Sequence, residues 1–385
     1  MEGLLHRDAG CASVYVNVLD IDCETWGRAG VRALRCSISL DDEDDMTMQT
    51  TRVTIGDVAA KAGVSIATVS RVVNGRYGVS EQTIERVRGV IDDLGYESSL
   101  IARSLRNRRT NVIGILVSGI EPFSAELLKG AARALHDTDY ELVVYSGGMS
   151  GEGGWERRYL SRVGGTLTDG IVLVTPTVVE VEVPYPIVAV DPHVGPTHIP
   201  TVDSQNFEGA AMAVEHLIGL GHRRIGFLAG RPDLESARRR EAGYRAALTA
   251  AGITVDEALI QAGAYTEEAA VEPAHRLLAV ADRPTAVFAA NDLSASQVIR
   301  TANELGLVVP DDVSVIGFDN IPESALTNPP LTTVDQSIQA MGQVAVTSLI
   351  DLIERPDLAL AAPMHSTLPT RLVIRQTTAP PGARR

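Results

Sequence analysis

The chain has 385 residues, 45% hydrophobic and 22% charged, with a net charge of −15; this is a globular composition with room for two or three domains. No run of 18 apolar residues occurs, so no membrane-spanning helix is expected. All three cysteines (Cys11, Cys23, Cys36) lie in the first 36 residues, at a spacing that fits neither a disulfide framework nor a metal site.

Residues 1–48 carry the acidic run Asp41-Asp42-Glu43-Asp44-Asp45, a solvated tract. Two readings fit it, a flexible extension or a protein that starts near Met46, and the second is favoured. Asp8-Ala9-Gly10-Cys11 has the shape of a lipoprotein cleavage site but lacks the apolar stretch that export needs, so a cytoplasmic, nucleoid-associated location is expected. Charge is unevenly spread. Residues 50–110 hold 10 Lys/Arg against 6 Asp/Glu, whereas residues 111–385 hold 20 against 33. A small basic module on an acidic body is the asymmetry of a DNA-binding head on a sensor.

Residues 53–74 read VTIGDVAAKAGVSIATVSRVVN. Thr54 with Asp57 three residues on makes a capping box, Gly63 supplies a turn with φ > 0, and Ser65 caps a second helix with Val69, Val72 and Val73 inward. Ser65, Ile66, Ala67, Thr68, Ser70 and Arg71 are left at its outward N-terminal end, where a helix-turn-helix sets side chains against base edges. Ser80 starts a third helix bearing Ile84, Val87, Ile91 and Leu94, closed by Gly95. Then SSLIARSLRNRRT (98–110) sets a thin apolar stripe beside Arg103, Arg106, Arg108 and Arg109. It reads either as a basic linker or as a hinge helix that folds on DNA, with Leu105 wedged into a minor-groove step.

From Asn111 the pattern alternates. Strands are predicted at 112–117, 142–145, 170–174, 187–191, 224–228, 285–289 and 313–318, and helices at 208–220, 237–250, 293–305 and 338–353. Continuous apolar strands between helices predict doubly wound parallel sheets, and about 275 residues suit two lobes. No glycine-rich phosphate loop follows the first strand.

The motifs DVAAKAGVSIATVSRVVN, GY then IARSL, EHLIGLGHRRIGFLAG, PTAVFAANDLSA, VSVIGFDN and PPLTTVDQ stand in this order between Val53 and Pro381. Together they resemble the lactose-repressor (LacI/GalR) family of bacterial transcription factors. The resemblance implies an all-α headpiece (50–97), a hinge (98–110) and a two-lobed α/β body of the periplasmic-binding-protein-like type I (111–381). The N-lobe would span about 111–204 and 336–365, and the C-lobe about 205–335 and 366–381. Ser98 and Ser99 stand where the family usually has Pro-Asn, a departure at the start of the hinge. Operator contact is implied for Thr54, Asn74, Tyr96, Ala102, Leu105 and Arg106 beside the outward residues of the second helix.

The effector cleft is implied for Phe123, Ser124, Asp191, Arg240, Tyr265, Asn291, Asp319 and Gln336. Carboxylates, amides and a guanidinium suit vicinal hydroxyls, and aromatic walls suit a sugar ring. Read alone, Asp191 and Asp319 could cap turns, Asn291 could cap a helix, and Arg240 in Arg238-Arg239-Arg240 could be a solvated face. The implied protein is a homodimeric regulator, a repressor of carbohydrate genes, on a palindromic operator. It needs no metal, cofactor or catalytic residue, and no tetramer-forming helix is expected after Arg385. Two rivals fare worse. A transporter's solute-binding protein would need an export signal and no basic head. An enzyme would need a convergent nucleophile or base, whereas His193 and His198 lie in a loop with no evident partner.

Overall fold

The computed structural model describes residues 15–16, 53–73, 78–94, 109–147, 154–164, 167–178, 182–195, 198–357 and 365–382. Asn74, Tyr96, Ala102, Leu105, Arg106, the three cysteines and the acidic tract lie outside the described residues. The chain divides into two compact units, residues 19–109 and residues 110–385 with 1–18.

The first unit is three helices, α1 (Ile55–Ala62), α2 (Ile66–Val73) and α3 (Glu81–Leu94). Local chemistry sets each end. The Thr54 amide donates to Asp57 Oδ2 at 2.8 Å and the Asp57 amide to Thr54 Oγ1 at 3.4 Å, a reciprocal capping box at the start of α1. Gly63 ends that helix at φ 65°, ψ 37°, a left-handed conformation that a Cβ would strain. Ser65 then accepts from the Thr68 amide at 3.1 Å and Ser80 from the Thr83 amide at 3.4 Å. Val58, Val69 and Val87 are fully buried where the three helices meet, with Ile84, Ile91 and Leu94 against them.

The body is two sheets. The N-lobe sheet runs β1 (Tyr15–Val16), β3 (Glu141–Ser146), β2 (Val112–Val117), β4 (Gly170–Val174), β5 (Ile187–Val190), β6 (Thr201–Ser204), β12 (His365–Leu368), parallel throughout. The C-lobe sheet runs β13 (Arg371–Val373), β11 (Thr332–Asp335), β10 (Ser314–Asp319), β9 (Ala286–Ala289), β7 (Ile225–Ala229), β8 (Ile260–Ala262), with only β13 antiparallel. Strands buried on both faces need helices on both faces, which is why β2, β4 and β5 carry unbroken apolar runs. In the N-lobe α4 (Pro122–Ala134) and α10 (Ile338–Glu354) cover one face and α5 (Trp155–Val163) the other. In the C-lobe α8 (Glu267–Leu278) and α9 (Asp292–Glu304) lie on one face and α6 (Asn206–Gly219) and α7 (Glu235–Ala250) on the other.

Three crossovers join the lobes: β6 to α6, β11 to α10 and β12 to β13. The last falls between Leu368 and Arg371, a few residues beyond the expected boundary at 365/366, because β12 pairs with β6 through Leu368. In each lobe strand order reverses beside the first strand, between β2 and β4 and between β7 and β9. Open α/β sheets bind ligands at such switch points, outside the carboxyl ends of the strands.

Candidate functional site

In the three-helix unit the outward face of α2 presents a compact polar patch. Ser65, Ile66, Ala67 and Arg71 are exposed, Thr68 and Ser70 are half-buried, and Val69 and Val72 turn inward. Ile66 is 53% exposed although it is a large apolar side chain at the end of a small domain. Such a residue is held in water at some cost and suits contact with a thymine methyl or a sugar face. Thr54 is exposed at the start of α1, its hydroxyl donating to Asp57 at 2.7 Å.

In the body a cavity of about 250 Å3 opens between the lobes, lined from the N-lobe by Phe123, Thr175, Asp191 and His193 and from the C-lobe by Arg240, Tyr265, Asn291 and Asp319, with Gln336 at a crossover. Its lining residues follow strand ends: Thr175 follows β4, Asp191 β5, Asn291 β9 and Gln336 β11, while Asp319 closes β10. Five of the eight non-glycine residues with positive φ among the described residues line it, namely Thr175, Asp191, Ala264, Tyr265 and Asp319. Backbone strain collected around one cavity, on both of its walls, points to a ligand site rather than to packing.

Arg240 is the centre of the site, and it is only 3% exposed. Its neighbours Arg238 and Arg239 face outward and both pair with Glu235; the next step of the helix turns Arg240 into the cleft. There its Nε donates to Asn206 Oδ1 at 2.8 Å. One terminal nitrogen donates to the Ala290 carbonyl at 2.5 Å and Asp319 Oδ1 at 3.3 Å, and the other to Gln336 Oε1 at 3.3 Å. The guanidinium stacks 3.8 Å above the centre of the Phe318 ring, a cation–π contact in a dry setting. Gln336 in turn donates to Asp319 Oδ1 at 2.5 Å and accepts from Ser204 Oγ at 2.9 Å. Asn291 does two jobs. Its Oδ1 caps α9 by accepting from the Ser294 amide at 3.0 Å, and its Nδ2 donates to the Tyr265 carbonyl at 3.0 Å.

Burial pushes the Asp319 carboxyl up to about 7, against the pull of Arg240 and with Asp191 adding to the rise. Asp292 behind it is driven well above the carboxylate range by burial and by Asp319, although Thr333 and the Ile321 amide bond to it. Asp191 is also raised by burial, with Arg240 and the Ser236 hydroxyl opposing. The buried Tyr265 hydroxyl lies near Ser236 without a hydrogen bond of good geometry, and burial lifts it to about 12.

Of the eight residues expected in the cleft, seven line the cavity. Ser124 does not; it is buried behind the wall, donating to Glu121 Oε1 at 2.7 Å in the first turn of α4. Sequence reasoning missed Ser118, Glu121, Thr175, His193, Arg231 and Ser236 on the wall. The sequence puts His193 in a loop with no evident partner. In fact it is buried, its Nδ1 is 3.3 Å from Asp233 of the other lobe, and its carbonyl accepts from the Glu235 amide and from Arg238. A polar residue two positions after a strand-terminal Asp was the available signal.

Residues 54–99 match the model of bacterial regulatory proteins of the lacI family, and residues 214–378 match that of a periplasmic binding protein-like domain. The chain is 35% identical over 311 residues to the HTH-type transcriptional repressor PurR of Photobacterium profundum, covering 78% of this chain and 92% of that protein. It superposes on the transcriptional regulator CelR–cellobiose complex with a TM-score of 0.64 at 33% identity, over 85% of this chain and 100% of that one. On the lac repressor dimer bound to operator and the anti-inducer ONPF the TM-score is 0.75 at 29% identity, over 85% and 99% of the two chains. Among the described residues no helix is long and apolar enough to cross a membrane. A capped helix-turn-helix, a two-sheet sensor body and relatives that are transcriptional regulators lead to one conclusion: this chain belongs to the lacI family of bacterial regulatory proteins, and it is a ligand-responsive DNA-binding transcriptional regulator.

Proposed function

We propose that this regulator is a cytoplasmic homodimer that represses carbohydrate uptake or catabolism genes from a palindromic operator, with a small sugar as effector in the interlobe cavity. Ser65, Ile66, Ala67, Thr68, Ser70 and Arg71 of the α2 region read base edges in the major groove, with Thr54 on the backbone. Asn74, Tyr96, Ala102, Leu105 and Arg106 extend the same footprint through the hinge. Phe123, Asp191, Arg240, Tyr265, Asn291, Asp319 and Gln336 hold the effector, and Ser124 supports the wall from behind.

The observation that carries the effector assignment is the Arg240–Asp319–Gln336 cluster, a set of fixed donors and acceptors at a strained strand terminus in a cavity between lobes. Such a cluster matches vicinal hydroxyls, and Phe123 and Tyr265 offer ring faces to the apolar side of a sugar. Ligand binding changes the angle between the lobes and so decides whether paired hinges fold on DNA. A coupling of about 1–3 kcal/mol changes operator affinity roughly 5- to 150-fold.

The test is a gel shift of the full-length protein on the fragment upstream of its own gene, with and without candidate sugars. A retarded complex that one sugar dissolves or strengthens supports the reading. Equal affinity for that fragment and for scrambled duplex would refute it.

A further inference from the structure

The effector cavity sorts its charges unevenly. Among the described residues on its wall, the carboxylates are Glu121, Asp191 and Asp319, and the cationic groups are Arg231, Arg240 and His193. Each of the three cations already has partners in the protein. Arg240 has already committed four of its five N–H groups, to Asn206, Ala290, Asp319 and Gln336. Arg231 turns its fork on Asp233, with Nε at 3.1 Å from one oxygen and a terminal nitrogen at 2.7 Å from the other. That is the bidentate geometry a phosphate or carboxylate would otherwise claim. Burial and Arg231 lower the pKa of His193, while Asp233 opposes, so its charged form is disfavoured.

The carboxylates make the case stronger. Burial already disfavours the charged forms of Asp191 and Asp319, and Asp191 adds to the rise at Asp319 as Asp203 does at Asp191. An anion entering the cavity would force each carboxyl either to stay ionised beside like charge or to take up a proton, and it would leave its water for the few N–H groups that Arg240 and Arg231 keep. Hydroxyls carry no such penalty. They can donate to the carboxylates and accept the one N–H that Arg240 keeps.

We infer that the cavity admits uncharged polyhydroxylated ligands and turns away their phosphorylated and carboxylated counterparts, with Asp233 keeping Arg231 from serving as an anion anchor. The inference rests on the effector reading above and adds the charge class. At about 250 Å3 the cavity lies below the roughly 300–1,000 Å3 common for ligand pockets.

Matched pairs test it on the full-length protein by calorimetric titration: glucose, glucose 6-phosphate and glucuronate; ribose and ribose 5-phosphate; galactose and galacturonate; cellobiose; and inorganic phosphate alone. The expected result is one neutral sugar that binds while its anionic partner binds at least about 100-fold more weakly, the size of a like-charge contact at short range in a partly buried site. In Asp233→Asn, where Arg231 is released, that ratio should narrow about 10-fold with neutral binding retained. An anionic member that binds as tightly as its parent, or phosphate that binds in an Arg240-dependent manner, overturns the charge filter and leaves the effector site standing. An unchanged ratio in Asp233→Asn removes the role given to Asp233. Binding by no pair removes the sugar reading itself, and the filter with it.

Discussion

The two walls of the cleft differ in how their polar groups are held. On the C-lobe wall, side chains brace one another: Arg240 reaches Asn206, Asp319 and Gln336, Gln336 reaches Asp319 and Ser204, and Asn291 holds Tyr265. On the N-lobe wall, Thr175 and Asp191 are fixed mainly through backbone, by amide bonds to the Val190 and Val202 carbonyls. One wall is a pre-built hydrogen-bonding surface, which lowers the ordering cost of binding. The other supplies the Phe123 ring and the residues that follow strand ends, Thr175, Asp191 and His193. Ser204, Asn206 and Gln336 also stand at two of the three crossovers, so the braced wall is continuous with the segments that join the lobes.

If that contrast is right, damage should follow the wall. Arg240→Ala strands Asp319 and Gln336 in a dry setting. It should lower stability in chemical denaturation by about 3 kcal/mol and abolish the effector response while operator binding persists; a response at wild-type ligand concentration would take Arg240 out of the site. The next effect is a pH dependence. The folded-state pKa of Asp319 lies above its unfolded value, so the folded protein binds more protons between pH 3.8 and about 7, and this group's contribution to stability falls as pH rises through that window. Denaturation midpoints of Asp319→Asn against the parent should diverge over that range, and parallel curves would contradict the raised carboxyl. Phe123→Ala, on the other wall and half-buried against the N-lobe core, should weaken effector binding about 10-fold by titration and lower stability by about 1 kcal/mol, less than Arg240→Ala. Equal damage to folding and binding would erase the distinction between the walls. The smallest change is Ser65→Ala, which should cost the headpiece about 1 kcal/mol and leave melting of the effector-bound body where it was.

How far the sequence disclosed this depended on the range of the forces involved. The headpiece was legible because its signals are local: Thr54 with Asp57, Gly63, Ser65 and Ser80 each act within four residues. The strands β2 and β4 came out at their true limits because an unbroken apolar run needs both faces covered. β6, with sequence TVDS, and β11, with TTVD, went unseen. Their polar residues are buried through distant partners, as when Asp292 takes the Thr333 hydroxyl, and no window along the chain records that. The helix α8 was hidden by Pro273 inside it. At the site, the motif-borne residues Arg240, Asn291, Asp319 and Gln336 were found. His193 was not, because its partner Asp233 lies across the cleft; Arg231 was not, although its own partner, the same Asp233, is only two residues away.

The crossing of α4 and α10 sets how the body answers a ligand. A Cβ on Gly130 would collide with the Gln339 carbonyl, and one on Gly342 with the Leu127 carbonyl, so the two helices touch main chain to main chain. Both begin at the cavity, α4 beside Phe123 and α10 two residues after Gln336. Contact this close leaves no layer of side chains between them to repack. A ligand held by Phe123 and Gln336, as proposed, would therefore act on both helices through one stiff junction.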